Sequence, residues 1–187
     1  DNGDNSGSVY LYELIDDNWN LITKISPNNL NEMDMFGISV SIFDGFLAIG
    51  SKQSYLSLED AGSVSIYKIN DNNLLYIQTI IPDDINIYDH FGSSVSINND
   101  ILAIGSKYDD DNGINSGSVY IYELIDESLS YYTKIIPSDG NINDNFGVSL
   151  SLNSNNWLAI GSIDDDLGIN SGSLYIYDNN LLEKIKI

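Results

Sequence analysis

Residues 91–124 read FGSSVSINNDILAIGSKYDDDNGINSGSVYIYEL, and almost the same string returns from Phe146 as FGVSLSLNSNNWLAIGSIDDDLGINSGSLYIY. A third version starts at Phe36, and residues 1–26 carry the closing part of another. Phe36, Phe91 and Phe146 stand 55 residues apart, as do Pro27, Pro82 and Pro137, and the spacing is kept by Tyr12, Tyr67, Tyr122 and Tyr177. One extra residue enters between Gly105 and Gly161, in the SLNSNNW turn. A fixed period of this length is the mark of a repeat architecture, so the unit is read before any single residue.

Within the unit the apolar runs are short and bounded by turn residues, which predicts strands. In the best-written copy the first strand runs from near Phe91 to Ile97. Asn98-Asn99-Asp100 makes a tight turn, because Asn and Asp tolerate positive φ and bond their own backbone. Ile101 to Ser106 is the second strand, Gly117 to Leu124 the third, and Leu129 to Ile136 the fourth, which Pro137 ends. No 3.6-residue apolar period persists for three turns, so no helix is expected. In SVYIYEL, Val119 and Ile121 point to one face while Tyr120, Tyr122 and Leu124 point to the other. Both faces are apolar and both need cover. Copies of the same sheet stacked around an axis supply that cover, which is the β-propeller arrangement. Glycines such as Gly92 and Gly105 suit inner strands, where backbones crowd. A β-solenoid, with shorter coils paired in parallel, fits less well.

The expected fold is therefore all-β: a β-propeller segment of four-stranded antiparallel blades, about three and a half in number, forming an open arc with exposed end faces. Residues 1–26 make a half blade (third and fourth strands only), and 27–81, 82–136 and 137–187 make full blades, the last with a shortened outer hairpin. Closed propellers have about four to eight blades, so the simplest expectation is a segment of a longer propeller, about 385 residues if seven such blades are present.

The chain has 187 residues with 28 acidic side chains against 7 Lys and Arg together, a formal net charge of -21. Such a field repels phosphate backbones and anionic lipid, so neither nucleic-acid nor membrane-surface binding is expected. With no stretch near the roughly 18 to 20 apolar residues of a membrane span, no membrane insertion is expected. With no cysteine, disulfides and thiolate metal sites are excluded. The single histidine, His90, stands where Met35 and Asn145 stand in the sister units, which reads as a turn or surface residue.

The pattern FGxSVSI, then LAIGS, then SGSVYIYEL resembles the FG-GAP repeat family, found also in integrin alpha subunits. The Phe-Gly pairs are Phe36-Gly37, Phe91-Gly92 and Phe146-Gly147, with Gly50-Ser51, Gly105-Ser106 and Gly161-Ser162 where Gly-Ala-Pro would stand. Trp19 occupies the outer hairpin, where a bacterial-type and protist-type branch often has Trp. The resemblance implies a propeller, an extracellular or cell-surface setting, and a role in protein binding and cell adhesion.

Local chemistry concentrates in two acidic loops. Alternating Asp and Asn around a glycine turn offer the oxygen ligands that calcium requires. The candidate set is Asp109, Asp111, Asn115 and the carbonyl near Gly113, with Asp164, Asp166, Asn170 and Gly168 as counterparts; Asp1 and Asn5 are remnants of a third loop. Integrin-type calcium loops lie between the Phe-Gly and Gly-Ala-Pro strands, where this chain has only the Asn-Asn-Asp turn, so those sites do not transfer by position. Unit two lacks most of the acidic run. No cofactor is required by any motif, and no catalytic constellation is recognisable. The expected function is a non-enzymatic interaction scaffold with a protein or glycan ligand, joined to further blades. The alternative is a structural part of a larger secreted enzyme whose catalytic residues lie elsewhere.

Overall fold

The computed structural model describes residues 3–52, 59–70, 73–163 and 171–187. Fourteen strands form four antiparallel sheets, with no helix among the described residues. The first sheet has two strands, β1 (Val9–Ile15) and β2 (Asn18–Ile25). The second has β3 (Ser39–Phe43), β4 (Phe46–Ser51), β5 (Ser63–Asn70) and β6 (Asn73–Ile80) in chain order. The third has β7 (Phe91–Asn98), β8 (Ile101–Ser106), β9 (Ser118–Ile125) and β10 (Ser128–Ile135). The fourth has β11 (Ser149–Leu152), β12 (Leu158–Ser162), β13 (Ser173–Tyr177) and β14 (Glu183–Lys186), whose short outer pair matches the shortened LLEKIKI ending. None of the sheets closes on itself. The expected strands of the third unit fall within about one residue of those observed.

Apolar faces on both sides of each sheet explain the stacking. Phe46, Val64 and Ile66 of the second sheet join Val95, Ile97, Leu102, Ile104, Tyr120 and Tyr122 of the third in one buried cluster. The opposite face of the third sheet, with Ala103, Val119 and Ile121, meets Leu158, Ile160, Tyr175 and Tyr177 of the fourth. Val119 and Ile121 thus point away from Tyr120 and Tyr122, as strand alternation requires. Burying one such aliphatic side chain contributes about 2 kcal/mol, and each junction repeats the set.

Polar bonds repeat with it. Ser39 Oγ donates to Gly92 O at 2.7 Å and Ser94 Oγ to Gly147 O at 2.6 Å. Ser41 Oγ accepts from Ile97 N at 3.1 Å, and Ser96 Oγ from Leu152 N at 2.9 Å. In addition, the loop before each third strand clasps the next sheet. Asn115 O and Ser116 O accept from Asn145 N and Phe146 N, Asp60 O and Ala61 O from His90 N and Phe91 N, and Asn5 O and Ser6 O from Met35 N and Phe36 N. Gly7, Gly62 and Gly117 then form parallel bridges with Phe36, Phe91 and Phe146.

Those glycines are required. Gly117 has φ +81, and a Cβ there would lie 2.2 Å from Phe146 O, a backbone atom that cannot swing away. We expect Gly117→Ala to destabilise the fold by about 2 kcal/mol or more, read as a lower urea midpoint; an unchanged midpoint would show that the clasp is not under this constraint.

Candidate functional site: the acidic loop and Lys134

The loop between β8 and β9 is built around Asp109, which is buried. Its Oδ1 accepts the Asp111 amide at 3.0 Å, closing a local turn. Its Oδ2 accepts from Ser118 Oγ at 3.0 Å and lies 2.8 Å from Lys134 Nζ. Lys134, on β10, reaches inward past the ring of Tyr120, with Nζ 4.6 Å from the ring centroid. Its ammonium also meets Asp111 Oδ2 at 2.6 Å and Asp84 Oδ2 at 3.1 Å. Tyr120 OH lies 3.0 Å from Asp84 Oδ1 and 3.1 Å from Asp109 Oδ2, placed to donate to either. Three carboxylates therefore converge on one ammonium.

The energetics follow from burial. Desolvation opposes the charge on Lys134, but its hydrogen bonds to Asp109, Asp111 and Tyr120 outweigh it and hold the ammonium well above the ordinary lysine range. Burial raises the Tyr120 phenol, which keeps its proton available to the carboxylates. Lys134 stays charged and Tyr120 neutral throughout the physiological range.

Of the residues that the sequence singles out, Asp109 and Asp111 are brought together, on Lys134. Asn115 is directed elsewhere, its Nδ2 donating to Asn143 Oδ1 at 2.9 Å. Gly113, with φ +133, turns the chain, and its carbonyl accepts from Ser116 N at 2.9 Å. Asp110 reaches across the loop instead, its Oδ1 accepting Asn115 N at 2.7 Å. No group of three or more acidic, His or Cys side chains arranged for a metal occurs among the described residues. Asp164, Asp166, Gly168 and Asn170, like Asp1, lie outside the described residues.

The sister sheets show that lysine, tyrosine and acid belong together. In the fourth sheet Lys186 pairs with Asp139, whose Oδ1 accepts from Tyr175 OH at 3.1 Å, and Lys186 lies 5.0 Å over the Tyr175 ring. In the first sheet Lys24 lies over Tyr10 at 5.6 Å. In the sequence of the second unit all four positions change at once: Asn29, Ser54, Ser65 and Thr79 stand where the third has Asp84, Asp109, Tyr120 and Lys134. There Ser65 Oγ and Thr79 Oγ1 simply bond each other at 3.3 Å. Lys134 was missed by sequence reasoning that looked for anions, although its loss in the one unit without an acidic loop is visible in the repeat.

A second overlooked set is Asp34, Asp89 and Asp144, which precede each Phe-Gly pair by two residues and are buried. Asp34 Oδ2 accepts Asn31 N at 2.6 Å and Asp89 Oδ2 accepts Asn86 N at 2.7 Å; Asp144 Oδ2 takes Asn141 N in the same way. Burial pushes the Asp89 carboxyl up to about 6. Its neighbour His90 has a left-handed backbone (φ +54), its ring 4.7 Å from Tyr108. Burial, with Lys52 and Lys107 nearby, pulls its imidazole down to about 4.

These repeated sheets, coupled through glycine-bridged loops, define a β-propeller-type blade array. The FG-GAP repeat family matches residues 19–67, 76–122 and 130–177, and the chain belongs to that family. Each matched stretch starts in the outer strand of one sheet and ends in the third strand of the next, so the repeat written in sequence straddles the junction. Among curated proteins, none matches the chain.

Two measurements probe this region. Lys134→Met leaves Asp109 buried without its counter-charge and should cost about 3 kcal/mol or more in urea denaturation. Adding Asp109→Asn should recover part of that loss; no recovery would place the cost in packing alone. For His90, a depressed pKa means that its neutral form is the folded one. Its contribution is intact above pH 6.5 and is lost as pH falls toward 4. The raised Asp89 runs oppositely, contributing most below 3.8 and losing it as pH rises through 6. His90→Asn, the residue that Asn145 supplies in the sister unit, isolates the first effect. The variant should gain about 2 kcal/mol on the parent between pH 7 and 4.5, and an unchanged difference would refute the assignment.

Proposed function

We propose that the chain is a non-enzymatic propeller scaffold for protein or glycan contact, on an extracellular or surface-exposed protein. The observation that carries it is the repeated clasp: every acidic loop described spends its carbonyls on the next sheet, which makes a rigid array, while aromatic side chains of the outer strands face solvent. Tyr76, Tyr131 and Tyr132 are exposed on β6 and β10. A groove of about 410 Å³ lies between these outer strands, lined by Gln78, Thr79, Pro82, Asp84, Tyr122 and Tyr131. Amphipathic rings beside carboxylates at a rigid edge suit contact with sugars or with basic and neutral protein surfaces. The family is typical of extracellular proteins, in keeping with the setting proposed.

The test is a fluorescently labelled chain read on a glycan array and a panel of extracellular proteins. Binding that Tyr131→Ala abolishes, with the urea midpoint unchanged, is expected. Binding to nothing, or binding indifferent to Tyr131, goes against the groove.

Calcium is the second reading, with Asp109, Asp111, Gly113 and Asn115 of the loop between β8 and β9, and with Asp164, Asp166, Gly168 and Asn170 as their counterparts in the sequence. What favours it is the oxygen-rich composition of the loop; in the third sheet Asp84, Asp109 and Asp111 are held on Lys134 and not arranged for a metal, so an ion would have to displace that ammonium. Under the scaffold reading, calorimetry at millimolar Ca²⁺ shows no heat with the parent chain. Heat that disappears in Asp109→Ala would establish the calcium site instead.

A further inference from the structure

Among the described residues β1 pairs with β2 alone, on one edge. In every other sheet the corresponding third strand has a partner on its inner edge: Leu47 faces Tyr67, Leu102 faces Tyr122, and Leu158 faces Tyr177. Beside the open edge of β1, Val40 and Ile42 on β3 are 52% and 53% exposed, whereas their counterparts on β7, Val95 and Ile97, are 9% and 4% exposed. The two strands flank a cleft of about 520 Å³, lined by Tyr10, Leu11, Tyr12, Val40, Ile42 and Leu47 among others. An unpaired strand edge next to an apolar face is a site for strand addition.

The covered junctions say what fits. At both, a two-stranded hairpin packs on the next sheet and is recognised by three features. Its first serine donates to the carbonyl of the glycine after Phe (Ser39 to Gly92, Ser94 to Gly147). The serine two residues on accepts an amide from the facing strand (Ile97 N to Ser41, Leu152 N to Ser96). Its second strand carries a glycine against that same carbonyl, since a Cβ on Gly50 or Gly105 would lie 2.1 Å from Gly92 O or Gly147 O. The equivalent groups on the second sheet are Gly37 O and Ile42 N. We infer that the open edge of β1 and the exposed face of β3 form a docking site for a β-hairpin of the repeat's own pattern, FGxSVSI, turn, LAIGS. The incoming first serine bonds Gly37 O, the next accepts Ile42 N, the glycine passes Gly37, and the LAIG strand completes β1. This holds whatever the rim of the array binds.

The register is fixed by the sequence, because DNGDNSGS at 1–8 aligns with DNGINSGS at 111–118. A copy of residues 82–110 joined ahead of Asp1 therefore presents the hairpin in phase. Hydrogen exchange should slow by about tenfold or more at β1 amides and at Ile42, and the urea midpoint should rise. A control copy carrying valine at the position of Gly105 should give neither. As a second measurement, the intact 187-residue chain is titrated with a synthetic peptide of residues 91–106 carrying terminal lysines; amide shifts should centre on β1 and β3. Unchanged exchange in the extended chain together with no peptide shifts, equal protection by the valine control, or a parent chain that already buries Val40 and Ile42 in a dimer would each overturn the inference.

Discussion

The structure depends on three places where one backbone runs against the next with no side chain between them: Gly7 with Phe36, Gly62 with Phe91, and Gly117 with Phe146. Each glycine has positive φ, and the adjoining loop carbonyls receive the amides at and before the phenylalanine. With the backbones held at that separation, the Phe ring enters the core and meets a tyrosine edge-on, as Phe91 does with Tyr120 at 5.1 Å and Phe146 with Tyr175 at 5.0 Å. The serine bonds and the aliphatic faces then register between sheets. Without the glycine the carbonyl contact is sterically closed, and the rest of the junction has nothing to align it.

The acidic loops take on a different meaning in that setting. Their composition suits calcium, yet their main chain is committed to the neighbouring sheet, and in the third sheet the side chains surround an ammonium. A buried ion pair is weak evidence for net stability, since desolvation offsets much of the attraction. What the contacts do show is a tie between elements: Lys134 meets Asp84 from the connector, Asp109 and Asp111 from the loop, and the ring of Tyr120 from β9. The second unit replaces the whole set with small polar residues, so Lys134 and the acids around it have no charged counterparts there. Ser63 Oγ, the counterpart of the Ser118 hydroxyl that bonds Asp109, is buried without a partner among the described residues.

Position in the array changes what identical residues do. Tyr120, Tyr122, Tyr175 and Tyr177 are buried between sheets, whereas Tyr10 and Tyr12, written into the same motif, are exposed on β1. The difference is cover: among the described residues no sheet lies against that face, and β1 and β2 form a sheet of two strands. Residues that are core in one copy are surface in another, so their role cannot be assigned copy by copy from the motif.

Strand number, order, antiparallel pairing and the alternation of faces were all legible in the residues, because turn signals and a period of two are local properties. The half blade and the shortened final hairpin were legible as well, since the repeat shows what each unit lacks. The carboxylates of the candidate site could be named, but not what they bind. Lys134 stands 25 residues after Asp109 and on another strand, and only the pairing of β9 with β10, at Tyr120 opposite Lys134, carries its ammonium to the loop. The same holds for Val40 and Ile42. Their chemistry is that of Val95 and Ile97, and only the stacking of sheets, which decides what lies against each face, buries one pair and leaves the other to solvent.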